Sequence, residues 1–141
     1  VRTPLLVSEL VRNAEQTTDM MVAGATDFAR ADPDYDGGLT GCLKVARAAE
    51  GLGMDVEIHA CGPAMRHLMA ACRNAGYYEV NLVHPDCPNA WSLPAYACGY
   101  TDQLERVGPD GCVGLPDGPG LGVRYDWDAI RRTALETTVV R

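Results

Sequence analysis

Between residues 4 and 83, short apolar runs alternate with segments of helical spacing, which limits the chain to parallel βα units. PLLV (4–7), DFARA (27–31), MDVEIHA (54–60) and YYEVNLV (77–83) are too short for helices and read as buried strands. The segment 13–24 has helical spacing at Ala14, Met20 and Met21 and a stop at Gly24. The segment 40–52 places Leu43, Val45, Ala46, Ala49 and Leu52 mostly on one face and ends at Gly53. The segment 63–76 opens on Pro63 and closes on Asn-Ala-Gly. Crossovers of this kind are right-handed, so the four strands are expected side by side in chain order. The fold class is α/β, with parallel strands alternating with helices. Four such strands do not close a barrel and would leave two sheet edges open. The chain starts at Val1 immediately before a strand, which reads as a fragment or a non-standard start codon.

Beyond His84 the pattern changes. Residues 86–123 are rich in Pro and Gly, lack helical period, and read as an ordered loop region with short extended pieces such as CVGL (112–115). A short helix is expected over 125–135, capped by Asp126. The division expected is 1–107 for the strand–helix alternation and 108–141 for a return segment with the terminal helix.

A net charge of −7 argues against nucleic acid or an anionic membrane surface as partner. No apolar run approaches the roughly 20 residues of a membrane span, and no basic start with an apolar stretch suggests a secretory signal. The expectation is a soluble, cytoplasmic protein. The six cysteines (Cys42, Cys61, Cys72, Cys87, Cys98, Cys112) show no paired CxxC spacing. They read as buried free thiols rather than disulfides or a zinc site.

The strand ends carry the chemistry. Glu9 follows PLLV, Asp32 follows DFARA, His59 follows MDVEI, and Glu79 lies in YYEVNL. Parallel strands of a βα barrel converge their C-terminal ends on one rim, so these four side chains are expected together. Taken singly, each has an ordinary reading. Glu9 would be a solvated carboxylate, Asp32 a turn residue like Asp34 and Asp36, His59 a structural histidine, and Glu79 an ion-pair partner. Recurrence at four successive strand ends favours a common site. His67 falls mid-helix and His84 in a loop. Gly37-Gly38 could cradle an anion, but more simply lets the backbone turn after Asp32.

The strings VSE (7–9), ADPDYDGGLTG (31–41), VEIHACGPA (56–64), YYE (77–79) and PDGPGLGV (116–123) resemble the mandelate racemase-like branch of the enolase superfamily. The resemblance implies the C-terminal half of a TIM-like (β/α)7β barrel. It implies that Glu9 is one of three carboxylate ligands to magnesium. Asp32 and His59 would form a catalytic dyad, and Glu79 would be the acid that hydrogen-bonds the substrate carboxylate as it becomes an enediolate. Removing a proton α to a carboxylate creates a dianion in its resonance form, so a hard cation and an aimed proton donor both lower the cost.

The reaction implied is dehydration of an acid sugar to a 2-keto-3-deoxy acid. Racemisation of a 2-hydroxy acid with the same residues is the alternative. The expected partners are a small carboxylate substrate and either a second copy or a missing N-terminal half. The 141 residues alone are expected to be inactive. A non-catalytic half-barrel that needs a partner is the reading from a different class.

Overall fold

The first helix, α1 (Ala14–Val22), starts where the Asn13 side chain accepts a hydrogen bond from Gln16 N–H at 3.0 Å. It buries Ala14, Thr17 and Met21, one stripe at helical spacing, and Gly24 leaves it at φ 65°. The computed structural model describes residues 2–80 and 95–140. By contacts the chain divides into two units, Val1–Val80 and Asn81–Arg141.

In the first unit β1 (Ala29–Ala31) leads to α2 (Gly38–Gly51), then β2 (Val56–Ile58), then α3 (Pro63–Ala71). The two strands are parallel, with Ala29 opposite Val56, Arg30 opposite Glu57 and Ala31 opposite Ile58. Leu6 adds a parallel bridge to Phe28, so three chain passages lie in sequence order. This is the expected α/β alternation with shorter strands. PLLV contributes one bridge, and residues 77–80 form no ladder among the described residues. Residues 81–83 of the fourth expected strand lie outside the described residues, as do His84 and Cys87.

Around PLLV side-chain hydrogen bonds supplement two backbone ones, Asp27 N–H and Phe28 N–H to Leu5 O at 2.9 and 3.2 Å. Thr26 Oγ1 donates to the carbonyls of Leu5 and Phe28, at 3.2 and 2.6 Å, and Asp27 Oδ2 accepts from Leu5 N–H at 2.8 Å. One face of β1 and β2 closes the core: Ala29, Ala31, Val56 and Ile58 pack with Cys42, Val45, Ala46 and Ala49 of α2 and Leu68 of α3. Val45 and Val56 are fully buried, worth about 1.5–3 kcal/mol each relative to exposure.

Helix α2 starts two residues before the expected segment, because Gly37 and Gly38 take φ of 80° and 76° and swing the backbone straight into it. Helix α3 stops short of the expected 76. Cys72 is extended, which frees Asn74 to bond elsewhere. The Asn74 side-chain amide donates to Ala46 O and Met54 O at 3.2 and 3.0 Å, and the Asn74 backbone carbonyl accepts from Val56 N–H at 2.9 Å.

The second unit holds a 3₁₀ turn, Leu104–Arg106, and α4 (Trp127–Thr133). Asp126 caps α4 as expected, accepting from Ala129 N–H at 2.8 Å. Antiparallel bridges join Tyr96 to Tyr125 and Val107 to Val113. The Tyr96 ring lies 4.8 and 5.4 Å from those of Tyr100 and Tyr125, with Trp127 5.7 Å from Tyr125.

The described cysteines are free thiols. Burial holds for Cys42 and Cys72, whereas Cys98 and Cys112 are exposed, because the loop region offers no apolar layer to cover them. No helix among the described residues is long and apolar enough to cross a membrane.

Gly41 faces Asp36 so closely that an added Cβ would stand 1.5 Å from the Asp36 carbonyl oxygen. Gly41→Ala is therefore expected to cost about 3 kcal/mol or more in chemical denaturation. Gly51→Ala, with nothing within 4 Å of its added Cβ, should gain about 0.5 kcal/mol.

Candidate active site

The alternation that buries Ala29, Ala31, Val56 and Ile58 sends Arg30, Asp32, Glu57 and His59 to the other side of the strands. His59 prolongs β2, its N–H donating to Ala31 O at 2.8 Å, so its ring arrives beside Asp32. His59 Nδ1 and Asp32 Oδ2 form a hydrogen bond. Asp32 is buried at 5% exposure and firmly held. Its Oδ1 accepts from Asp34 N–H at 2.8 Å, and its backbone N–H donates to Asp36 Oδ2 at 2.8 Å. The other ring nitrogen, Nε2, is 3.6 Å from Glu9 Oε1.

Glu9 and Glu79 are more open, with side chains 52% and 44% exposed. Glu79 Oε2 accepts from Ala60 N–H at 2.8 Å and from Arg30 Nη2 at 2.9 Å. Arg30 Nε lies 3.7 Å from Glu9 Oε2. Glu9, Asp32, His59 and Glu79 thus lie on one chain of contacts linked by Arg30: Asp32 to His59, His59 to Glu9, Glu9 to Arg30, and Arg30 to Glu79.

Two non-glycine residues of left-handed backbone adjoin this chain, Ser8 (φ 86°) before Glu9 and Ala60 (φ 64°) after His59. Such backbone costs of order 1–3 kcal/mol and is characteristic of functional sites. Tyr78 steadies the segment after His59. Its hydroxyl accepts from Gly62 N–H at 2.8 Å and donates to Gly62 O at 3.3 Å.

Two members escaped the sequence reading. Arg30 belongs to no motif, and only its parity with Asp32 within Ala-Arg-Ala could have flagged it. Asp36 is the turn residue expected of DPDYD, but the turn is buried rather than open. It is 7% exposed, because Gly41 lets α2 close over it. Its Oδ1 is buried without a hydrogen-bond partner. Desolvation pushes the Asp36 carboxyl up from 3.8, and Glu57, also desolvated, up from 4.5. Burial likewise pushes the Cys42 thiol up to about 12, which leaves it inert.

Chemically, the arrangement holds an imidazole whose Nδ1 is occupied by a buried carboxylate and whose Nε2 lies beside the half-exposed Glu9. That is the geometry of a proton carrier. A magnesium ion wants about six oxygens in octahedral array. Among the described residues no group of three His, Cys, Asp or Glu side chains is placed to hold a metal. Glu9 could give such an ion one carboxylate, and its oxygens face Arg30 and His59. The described residues therefore do not by themselves fit the ion.

The enolase C-terminal domain-like family model matches residues 1–129, and the chain belongs to that family. Its barrel-type α/β fold is the one expected. A D-galactonate dehydratase family member of Paenibacillus sp. (strain JDR-2) is 30% identical over 131 residues, 88% of this chain and 30% of the relative. An L-rhamnonate dehydratase of Saccharopolyspora erythraea is 27% identical over 107 residues, 76% of this chain and 26% of the relative. The crystal structure of D-glucarate dehydratase from Agrobacterium tumefaciens complexed with magnesium matches with a TM-score of 0.76. It is 28% identical, over 94% of this chain and 34% of that one. The chain thus spans about a third of the length of the relatives it matches.

Two outcomes follow from this geometry. In the wild type the neutral His59 should carry its proton on Nδ1, facing Asp32. In Asp32→Asn, an amide that can donate to Nδ1 should move that proton to Nε2, as read from ¹⁵N ring shifts. A carboxyl whose folded pKa is raised contributes stability that is fully present below its unfolded value and lost as pH rises through the folded one. Part of the stability of this chain should therefore fall as pH rises above 3.8, and Asp36→Asn should flatten that fall in pH-dependent melts.

Proposed function

We infer that this chain carries the proton-transfer dyad of an acid-sugar dehydratase. The observation that carries the reading is the buried Asp32 bonded to His59 Nδ1, which leaves Nε2 beside the half-exposed Glu9 at 3.6 Å. The relatives named above are an L-rhamnonate dehydratase, a D-glucarate dehydratase and a member of the D-galactonate dehydratase family, and all three names refer to acid sugars with a hydroxyl β to the carboxylate.

In this reading a base outside the described residues removes the α-proton of the substrate. His59, protonated, gives its Nε2 proton to the departing β-hydroxyl, which leaves as water. The enol that remains ketonises to a 2-keto-3-deoxy acid. Asp32 keeps the ring oriented and balances the charge of the imidazolium. Glu79, protonated on the oxygen that Arg30 and Ala60 leave free, faces the substrate carboxylate and donates a hydrogen bond where negative charge develops. Magnesium is the cofactor this reading calls for. Glu9 would supply one of its ligands, and the ion would provide Lewis-acid charge at the substrate carboxylate.

The test is a screen of acid sugars with magnesium for 2-keto acid formation. It is run on the 141 residues and on the complete translation product of the gene that contains them. The 141 residues alone are expected to be silent. In the complete product, His59→Asn should lower turnover at least about 10²-fold, the usual scale for a lost acid–base group. Turnover untouched by His59→Asn, or exchange of the α-proton without loss of water, would overturn the reading.

A further inference from the structure

Arg30 lies in the middle of β1 and is the cation that touches both outer carboxylates of the site. Its backbone is pinned on both sides of the strand. Ala29 and Ala31 are fully buried, and the Ser8 hydroxyl donates to Arg30 O and accepts from Arg30 N–H, both at 3.2 Å. Its side chain is only 15% exposed, and Nε is buried without a hydrogen-bond partner. A guanidinium so enclosed keeps its direction.

We propose that Arg30 is the positioning residue of this site: its guanidinium, fixed between Glu9 and Glu79, sets which oxygen of Glu79 faces the substrate. Glu79 sits outside any ladder, and its half-open side chain would otherwise sample several rotamers. Two donors converge on its Oε2, Arg30 Nη2 at 2.9 Å and Ala60 N–H at 2.8 Å. Oε1 has no partner among the described residues and is the oxygen left for the substrate. One planar guanidinium reaches Glu79 through the Nη2 hydrogen bond and Glu9 through an Nε ion-pair contact at 3.7 Å, a span that the compact ammonium of a lysine does not hold as one rigid group. The substrate-facing role of Glu79 rests on the reading above, whereas the clamp is a property of this chain alone.

The test is NMR on the ¹⁵N-labelled chain. The Ala60 amide proton reports its bond to Glu79. In Arg30→Met it should move upfield as far as it does in Glu79→Ala, and Arg30→Lys should not restore it. An Ala60 amide unmoved in Arg30→Met, or fully restored by lysine, would overturn the clamp. A second reading covers the case in which Arg30→Met does not fold. In the wild type the Arg30 Nη protons should show slow rotation about the Nε–Cζ and Cζ–Nη bonds, lost in Glu79→Gln. Fast rotation in the wild type sinks the proposal equally. These readouts do not depend on turnover, so a silent acid-sugar screen beside an intact clamp would fault the reaction reading only.

Discussion

The site depends on one constraint, the parallel pairing of β1 with β2 under helices that cover a single face. Once Ala29, Ala31, Val56 and Ile58 are committed to the layer beneath α2 and α3, period-two geometry leaves no choice for the residues between them. Arg30, Glu57, Asp32 and His59 must share the opposite side. A one-residue slip would bury two charged side chains under the helices and expose the small apolar ones. The apolar core therefore sets the register, and the register brings His59 to Asp32.

The polar side is built on graded exposure. Asp32 is buried and held by backbone N–H donors, His59 is partly covered, and Glu9 and Glu79 are about half open. Mobility should rise in the same order, because each step outward loses fixed partners. Ion pairs at such exposure add little to stability, about 1 kcal/mol or less each. The Arg30 contacts matter more for direction than for holding the fold together. The left-handed Ser8 and Ala60 belong to the same economy, since strain beside Glu9 and His59 persists only because the core overdetermines the backbone there.

Much of this was legible along the chain. The stripe on α2, the Asp126 cap and the strand–helix rhythm follow from local patterns that need no partner to be read. So does the placing of Asp32 and His59 directly after β1 and β2, whereas Glu79 follows no ladder. The lengths of the strands were not legible, because a ladder exists only where a neighbour is within hydrogen-bond reach. PLLV finds one bridge, and the Thr26 and Asp27 side chains join the Asp27 and Phe28 N–H groups in bonding it. Helix α3 ended early for a similar reason: the bonds that Asn74 makes to α2 and β2 outweigh one more helical turn.

By itself the sequence determined the class of fold, the order of β1, α2, β2 and α3, and the residues that follow β1 and β2, because periodicity and turn chemistry are properties of neighbours in the chain. Only the tertiary structure decided what those residues touch. Arg30 became the link between Glu9 and Glu79, and Asp36 a buried carboxyl under Gly41, through contacts between segments far apart or folded back on each other. Burial and charge pairing are set by distance in space, and the linear chain does not carry that distance.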